Sequence, residues 1–296
     1  MRVADAVAEA TKTLNDAHVP SPKVDAEWLA AFVLNVSRGR LATATDLTDE
    51  QAERFRRLVA QRAERIPLQY LIGSAPFRHL ELAVGKGVFV PRPETEGLVT
   101  WGLRWLGRRP GALVVDLCAG SGAIAASVAA EVPGSRVHAV EKDPVALGWL
   151  RRNLDEFALA GIVVSIVGGD ATDPSVLAEL DGTVDLVPSN PPYVPEIAAA
   201  SLPPEVSSHD PHPAVFGGVD GLEVIRPLIG RIAGLLRPGG AFAIEHDETH
   251  AYVVPALVNA DGRFEDVQLH HDLARRPRFT TATRTDEPAR VAHWAS

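Results

Sequence analysis

The sequence predicts an α/β protein: a Rossmann-like, mostly parallel sheet with helices on both faces, preceded by a small N-terminal helical bundle and joined to it by a β-hairpin linker. Three observations carry this. From residue 112 onward, short apolar runs alternate with amphipathic stretches, the pattern of a parallel sheet wrapped by helices. A glycine-rich turn at residues 116–122 sits between the first run and the first helix. Before residue 65 the apolar residues follow helical spacing alone.

In the N-terminal part, Val3, Ala6, Val7, Ala10 and Leu14 form one stripe. Ser21-Pro22 reads as a helix start with proline in the first turn, and Ala26, Leu29, Ala30, Val33 and Leu34 form the next stripe. Thr48-Asp49-Glu50-Gln51 is a capping box ahead of Phe55, Leu58 and Val59. Pro67 ends that helix. Residues 68–92 alternate like strands, with Gly85-Lys86-Gly87 as the expected turn. A helix then opens near Pro93-Glu94-Thr95-Glu96. Strands are expected at 113–115, 137–140, 162–167, 184–187, 240–245, 264–270 and 278–284. The intervening helices fall at 124–132, 144–157, 174–180 and 221–236. The expected organisation is a helical recognition domain at 1–73, the linker at 74–92, the α/β domain at 93–285 and a mobile tail at 286–296.

Composition narrows the function. Of the 296 residues, 46% are apolar and 23% charged, as in a soluble globular protein. The one cysteine, Cys118, excludes an internal disulfide and a multi-cysteine metal or iron–sulfur site. Apolar runs such as 29–36 and 162–167 are too short to span a bilayer, and acids interrupt the N-terminal stretch where a signal peptide would be apolar. A cytoplasmic protein is expected. Residues 1–75 carry ten basic and ten acidic residues, so the net charge of -9 sits in the remainder. That sign disfavours a partner gripped through phosphates, so no direct nucleic-acid binding is expected.

The first chemical signal is Asp116-Leu117-Cys118-Ala119-Gly120-Ser121-Gly122. Glycines let the backbone turn sharply and come close to a ligand, and the following helix offers free N–H groups. Glu141 ends the next strand, where a carboxylate can accept from a ribose diol. The unit therefore reads as an adenosine-ligand site. The loop alone does not choose between a nicotinamide cofactor and S-adenosylmethionine, although Asp116 ahead of the glycines suits an α-amino group and a sulfonium better than a pyrophosphate. Asp170, after the third strand, is a candidate for the adenine edge and also reads as a loop-capping aspartate.

The second signal is Ser189-Asn190-Pro191-Pro192-Tyr193 after the fourth strand, an end that faces the ligand crevice in such sheets. The prolines stiffen the turn and leave carbonyl acceptors. Asn190 adds a side-chain oxygen and Tyr193 a ring face. Together these describe a slot for a flat group bearing NH2, with two acceptors aiming the nitrogen lone pair at an electrophile.

Over nearly its whole length the chain resembles the bacterial glutamine N5-methyltransferases that modify class-I peptide chain release factors. The resemblance rests on Asp25-Ala26-Glu27-Trp28-Leu29, Pro67-Leu68-Gln69-Tyr70-Leu71-Ile72-Gly73, Val90-Pro91-Arg92-Pro93-Glu94-Thr95-Glu96, the glycine loop and the Asn-Pro-Pro-Tyr run. Pro213-Ala214-Val215-Phe216-Gly217-Gly218, Asp220-Gly221-Leu222 and Glu245-His246 also match. It implies a class-I S-adenosylmethionine-dependent methyltransferase fold with a helical domain for substrate recognition. Residues 118–122, Glu141, Ala171 and Asn190 would line the cofactor site. Asn190, Pro191, Pro192 and Tyr193 would hold the glutamine of the release factor's Gly-Gly-Gln loop. The expected chemistry is direct methyl transfer by a monomer, with S-adenosyl-L-homocysteine as product.

The chain departs from the family pattern in four places. Cys118-Ala119 stands where Gly-Thr is usual, and Pro188 intrudes near the end of a central strand. His209-Asp210 replaces a Tyr/Glu-type pair, and Asp272-Leu273-Ala274-Arg275-Arg276 lacks the glycine after the alanine. Rival readings are a DNA adenine N6-methyltransferase, a glutamine methyltransferase of a large-subunit ribosomal protein, a non-catalytic release-factor-binding module, and a nicotinamide oxidoreductase. Cys118 reads as a small packed residue and His246 as structural. His209, Asp210 and His212 make a weak metal candidate. Trp28, Trp101, Trp105 and Trp149 fall on helices, as core or interface residues.

Overall fold

A computed structural model describes residues 1–107 and 109–286. The expected mobile tail lies, from residue 287, outside the described residues. The chain forms two compact units. The first comprises Met1–Ser74, Val84–Lys86 and Pro203–His209; the second comprises Ala75–Ala83, Gly87–Leu202 and the chain from Asp210.

The first unit is helical: α1 (Val3–Asp16), α2 (Pro22–Leu34), α3 (Asp49–Ala63) and α4 (Leu68–Ile72). The stripes read from the sequence close on a core that includes Leu14, Leu29 and Phe55. Pro22 sits in the first turn of α2, but Ser21 makes no side-chain cap. The capping box of α3 is complete: Gln51 N–H donates to Thr48 Oγ1 at 3.2 Å and Thr48 N–H to Gln51 Oε1 at 2.9 Å. Residues 68–72 are helical rather than extended. The Pro67 carbonyl accepts from the N–H groups of Tyr70 and Leu71, and Gly73, at φ +80°, ends the turn. The buried Arg62 guanidinium bridges Asp25 (2.7 Å) and Glu205 (2.7 Å), and Arg65 donates to both oxygens of Glu205. A guanidinium this enclosed is tolerable only because it is paired on two sides.

The second unit begins with a hairpin, β1 (Ser74–Phe77) and β2 (Leu80–Ala83). Its turn is Arg78-His79, not Gly85–Gly87, and residues 88–90 stay irregular. Arg78 takes φ +53° and is tied down through its guanidinium, which donates to Glu131 at 2.6 Å and to Thr100 at 2.7 Å. Those bonds hold a strained residue in a tight turn that the glycines were expected to make. There follow α5 (Thr95–Leu106), β3 (Leu113–Leu117), α6 (Ala123–Glu131), β4 (Arg136–Glu141), α7 (Pro144–Ala158), β5 (Ser165–Gly168), β6 (Val184–Ser189), α8 (Pro204–His209, part of the first unit), α9 (His212–Val215), α10 (Ile225–Leu235), β7 (Leu236–Glu245), α11 (Val253–Asp261), β8 (Phe264–His271) and β9 (Pro277–Arg284). The helix expected at 174–180 is one 3-10 turn, residues 178–180, entered through Leu177 at φ +58°.

The seven strands lie in the order β5-β4-β3-β6-β7-β9-β8. β5, β4, β3, β6 and β7 pair in parallel, β9 is antiparallel to β7, and β8 is antiparallel to β9. β3 is buried at all five residues, as a strand covered on both faces must be. Pro188 sits inside β6 opposite Ala243 of β7. On the β3 side the registered pairs are Leu186 and Ser189, and the step between them carries the proline, which has no N–H to give. The chain runs from β3 outward to β4 and β5, then returns to the other side of β3 with β6. Strand order therefore reverses between β3 and β6, and ligands of such sheets bind at that reversal, beyond the strands' carboxyl ends. Among the described residues no helix is long and apolar enough to cross a membrane.

Candidate active site

The carboxyl ends of β3, β4, β5 and β6 present the expected residues. Asp116 is fully buried near the end of β3. Its Oδ2 accepts from the Ala125 N–H at 3.0 Å, fixing the first turn of α6, and its Oδ1 is buried without a hydrogen-bond partner. Burial, reinforced by the charge of Glu141, holds this carboxyl well above the usual range. Asp116 thus supports the loop with one oxygen and leaves the other for a ligand's donor.

The loop after β3 is tightly wound. Cys118 adopts φ +65°, the left-handed region where a glycine is at ease, so the departure from the family's Gly-Thr puts a strained residue at the loop's first step. Burial pushes its thiol up, so Cys118 is a packed neutral side chain. Gly122 has φ +87°, an angle that strains any side chain, and a Cβ there would also press on Leu150 Cδ1 at 2.7 Å, so glycine suits this step of the loop. At Gly120 a Cβ would meet nothing within 4 Å, so open space lies beside that backbone.

Glu141 closes the loop from β4. Its Oε2 accepts from Gly120 N–H at 2.8 Å, and its Oε1 accepts from the N–H groups of Lys142 and Asp143, each at 2.8 Å. A carboxylate has about four acceptor positions, so roughly one remains, on Oε2. Asp170 accepts at Oδ1 from the Thr172 N–H (2.9 Å) and hydroxyl (2.7 Å), and at Oδ2 from Lys142 Nζ at 3.3 Å. Burial pushes it up, but those bonds outweigh burial and hold it below its usual range. It is therefore a loop cap, with Ala171 buried beside it.

Beyond β6, Ser189 donates its hydroxyl to the Leu117 carbonyl at 2.7 Å, pinning this exit to β3. Asn190 is half-buried and its Nδ2 donates to Thr95 Oγ1 at 3.1 Å. Pro191 and Pro192 are buried. The Tyr193 hydroxyl donates to Glu245 Oε1 at 2.9 Å, which turns the phenol's polar end toward the sheet. Burial and the neighbouring Glu245 raise the phenol well above its usual range, so it stays neutral. The segment 213–222 packs directly on this turn. A Cβ at Gly217 would lie 2.5 Å from the Gly221 carbonyl oxygen and 2.7 Å from that of Pro192. That close approach accounts for the Gly-Gly and Asp-Gly pairs of the motif.

Three residues have structural weight that the sequence reading did not assign. Asn153, on α7, exchanges bonds with both backbone groups of Ala83 and donates to the Ser121 carbonyl at 2.9 Å. A polar residue three positions after Leu150, on an apolar stripe, was its signal. Thr95 and Glu245 stood inside recognised motifs but without roles. Arg92, of the first of those motifs, pairs with Asp210, so the variant His209-Asp210 supplies a partner for a motif residue. His212 stacks on Phe216 at 4.4 Å. His246 is enclosed, with Nδ1 2.9 Å from the Asp247 carbonyl and Nε2 2.8 Å from Thr280 Oγ1. None of the four tryptophans is fully buried: Trp101, Trp105 and Trp149 are half-buried, and Trp28 is 40% exposed with Arg38 over its ring.

Comparison with known proteins agrees with this architecture. Residues 5–73 match the family described as the PrmC N-terminal domain, and residues 103–202 match the methyltransferase small domain. A "Release factor glutamine methyltransferase" of Mycolicibacterium smegmatis is 50% identical over 283 residues, covering 96% of this chain and 98% of that protein. The protein of the same name from Streptomyces coelicolor is 48% identical, covering 93% and 96%. Among solved structures, the hMettl16 catalytic domain, crystallised with the MAT2A 3'UTR hairpin 6, superposes with a TM-score of 0.55 at 14% identity, covering 83% of this chain and 84% of that one. At that identity the likeness concerns the fold.

Proposed function

The chain belongs to the release factor glutamine methyltransferase family, and on that premise we propose that it transfers a methyl group from S-adenosyl-L-methionine to the side-chain amide nitrogen (N5) of the glutamine in the Gly-Gly-Gln motif of class-I peptide chain release factors. The observation that carries the reading is Asn190, with its amide N–H bound to Thr95 and its Oδ1 turned away from that bond.

When bound, S-adenosyl-L-methionine supplies an electrophilic methyl on a sulfonium. The residues present fit it. Cys118, Ala119, Gly120, Ser121 and Gly122 wind a loop with open space at Gly120, and Glu141 keeps an acceptor position for a ribose hydroxyl. Asp116 Oδ1, buried and without a partner, suits a cationic end. Asp170 and Ala171 would border the adenine.

The remaining work belongs to the turn after β6. An amide nitrogen is a poor nucleophile because its lone pair is delocalised into the carbonyl. Asn190 Oδ1 and the Pro191 carbonyl would accept its two hydrogens, hold the nitrogen in line, and favour the electron-rich form as charge develops. Pro192 keeps the turn rigid, and the Tyr193 ring, with its hydroxyl engaged elsewhere, offers a face for the planar amide. As the N–CH3 bond forms and the S–CH3 bond breaks, the bonding pair goes to sulfur. The nitrogen then releases a proton, which the strongly acidic N-alkylated amide gives to water. Most of the rate comes from alignment.

The test is intact mass spectrometry of a purified class-I release factor incubated with this protein and S-adenosyl-L-methionine. A gain of one methyl mapped to the Gly-Gly-Gln glutamine, abolished in Asn190→Ala with cofactor binding retained, is expected. No gain on folded release factor would overturn the reading.

A further inference from the structure

Beyond β6 and β7, apolar side chains stand in solvent at Ile197 (83% exposed), Val219 (68%) and Tyr252 (88%), with Val253 next in sequence. Bonds between their segments bring them to one rim. Val194 bridges Phe216 in parallel and the Glu196 N–H donates to the Gly218 carbonyl at 3.0 Å, so Ile197 follows alongside Val219. His250 Nε2 donates to the Asp220 carbonyl at 2.9 Å, which carries the start of α11, and with it Tyr252, to the same loop. The rim is continuous with the turn after β6: the Pro192 carbonyl lies against Gly217 and the Tyr193 carbonyl against Gly221. A lone exposed apolar residue is ordinary, whereas several on adjoining segments mark a surface that another molecule covers.

The segments that build this rim carry charge of one sign. Residues 190–225 and 239–262 contain no lysine or arginine. Glu196, Asp220, Glu223 and Glu248 are exposed there. Arg226 of α10 pairs with Asp220 and Arg276 stands 4.0 Å from Glu248, whereas Glu196 and Glu223 have no ion-pair partner among the described residues. Such a surface repels a polyanion and attracts a basic protein segment.

We propose that this rim docks a basic, apolar stretch of the substrate protein flanking the target glutamine, and so selects the substrate; this rests on the reading of the slot given above. A Gly-Gly-Gln segment offers two residues without side chains, so the slot itself has little to hold. Contacts outside it must supply the affinity that keeps the amide in line. Ile197 and Tyr252 give the apolar contact, and Glu196 and Glu248 give the attraction that favours encounter.

The experiment measures KM and kcat of the full chain on a purified class-I release factor, with S-adenosyl-L-homocysteine as the probe of the cofactor site. Ile197→Ser with Tyr252→Ala removes the apolar contact, and Glu196→Lys with Glu248→Lys reverses the charge. All four side chains are exposed, so the fold is kept. Each double variant should raise KM about tenfold, the scale of losing interface anchors, with kcat within about twofold and S-adenosyl-L-homocysteine affinity unchanged. The effect of charge reversal should shrink as salt is raised, and that of the apolar pair should not. Changing to glutamine the basic residues that flank the motif in the release factor should raise KM for the wild-type chain and not for the charge-reversed one. Wild-type KM in either double variant, or a fall in kcat without a rise in KM, would overturn the docking role while leaving the function intact. An unmodified release factor with the wild-type chain would instead overturn the proposed function, and the docking role with it.

Discussion

The Glu141 carboxylate accepts the Gly120 N–H at 2.8 Å, so the residue suited to a ribose also fixes the loop that faces it. Its other oxygen holds the chain leaving β4 through Lys142 and Asp143. In Glu141→Gln the amide oxygen can replace one carboxylate oxygen only. If it serves Lys142 and Asp143, the NH2 group faces the Gly120 N–H donor to donor. We therefore expect Glu141→Gln as well as Glu141→Ala to weaken S-adenosyl-L-homocysteine binding by about 10- to 100-fold, the scale of losing hydrogen bonds to a charged acceptor. Calorimetric titration checks this, and an unchanged Kd in Glu141→Gln would refute the double role.

Gly217 packs against the backbone of the Pro192 turn. Its missing Cβ would lie 2.5 Å from one carbonyl oxygen and 2.7 Å from another, both of them backbone atoms that cannot swing aside. Gly217→Ala must displace the Pro192 turn or the Gly221 turn. Turnover on the release factor should fall at least about tenfold through misplacement of the slot. Cofactor affinity should stay within about threefold, because the glycine loop leaves a different strand. Equal losses in both quantities would show that the two ends of the crevice are mechanically one.

Much of this was legible in the sequence because it is local. The loop at 116–122, Glu141 at a strand end and the rigid turn at 190–193 each announce themselves by composition and spacing. The parallel pairing of β3, β4, β5, β6 and β7 follows from alternation, although their order does not. What stayed hidden is what depends on contacts distant in sequence. Thr95 meets Asn190 across 95 positions and Tyr193 meets Glu245 across 52, and no periodicity carries either pairing. Arg78 was hidden for a different reason. Propensity favoured the glycines at 85–87 as the hairpin turn, and tertiary bonds to Glu131 and Thr100 overrode it.

The loop between β8 and β9 shows what one family departure does. Arg275 stands where the resemblance leads one to expect glycine, and it adopts φ +63°. The conformation is kept by the Arg275 N–H bond to the Asp272 carbonyl at 2.9 Å and the Asp272 N–H bond to the Arg276 carbonyl at 2.9 Å. A non-glycine residue in this region is strained by about 1 kcal/mol or more, whereas glycine gives up more unfolded-chain freedom. The strain term should prevail slightly. Arg275→Gly should leave stability unchanged or raise it by up to about 1 kcal/mol, and the β-branched Arg275→Val should lower it. Thermal unfolding decides, and a clear loss in Arg275→Gly would show that the arginine side chain, not the backbone angle, governs this turn.

His246 gives the fold a defined acid response. Enclosed between Asp247 and Thr280, its imidazole is held down by burial to about 4, against an ordinary value of 6.5. The unfolded chain therefore takes up a proton at this residue before the folded chain does. As pH falls from 6.5 toward 4, proton uptake favours unfolding. The stability that neutral His246 contributes is complete above 6.5 and lost progressively below it, to a total of about 3 kcal/mol. Other groups titrate nearby in opposite senses: His138 and His270 are also lowered by burial, whereas Asp116 and Glu245 are raised by it. The difference between wild type and His246→Gln isolates the one residue. In urea titrations at pH 7 and at pH 4, wild type should lose about 3 kcal/mol more than the variant. Parallel losses would mean that the imidazole takes up its proton in the folded state as readily as in the unfolded one, through an opening at the end of β7.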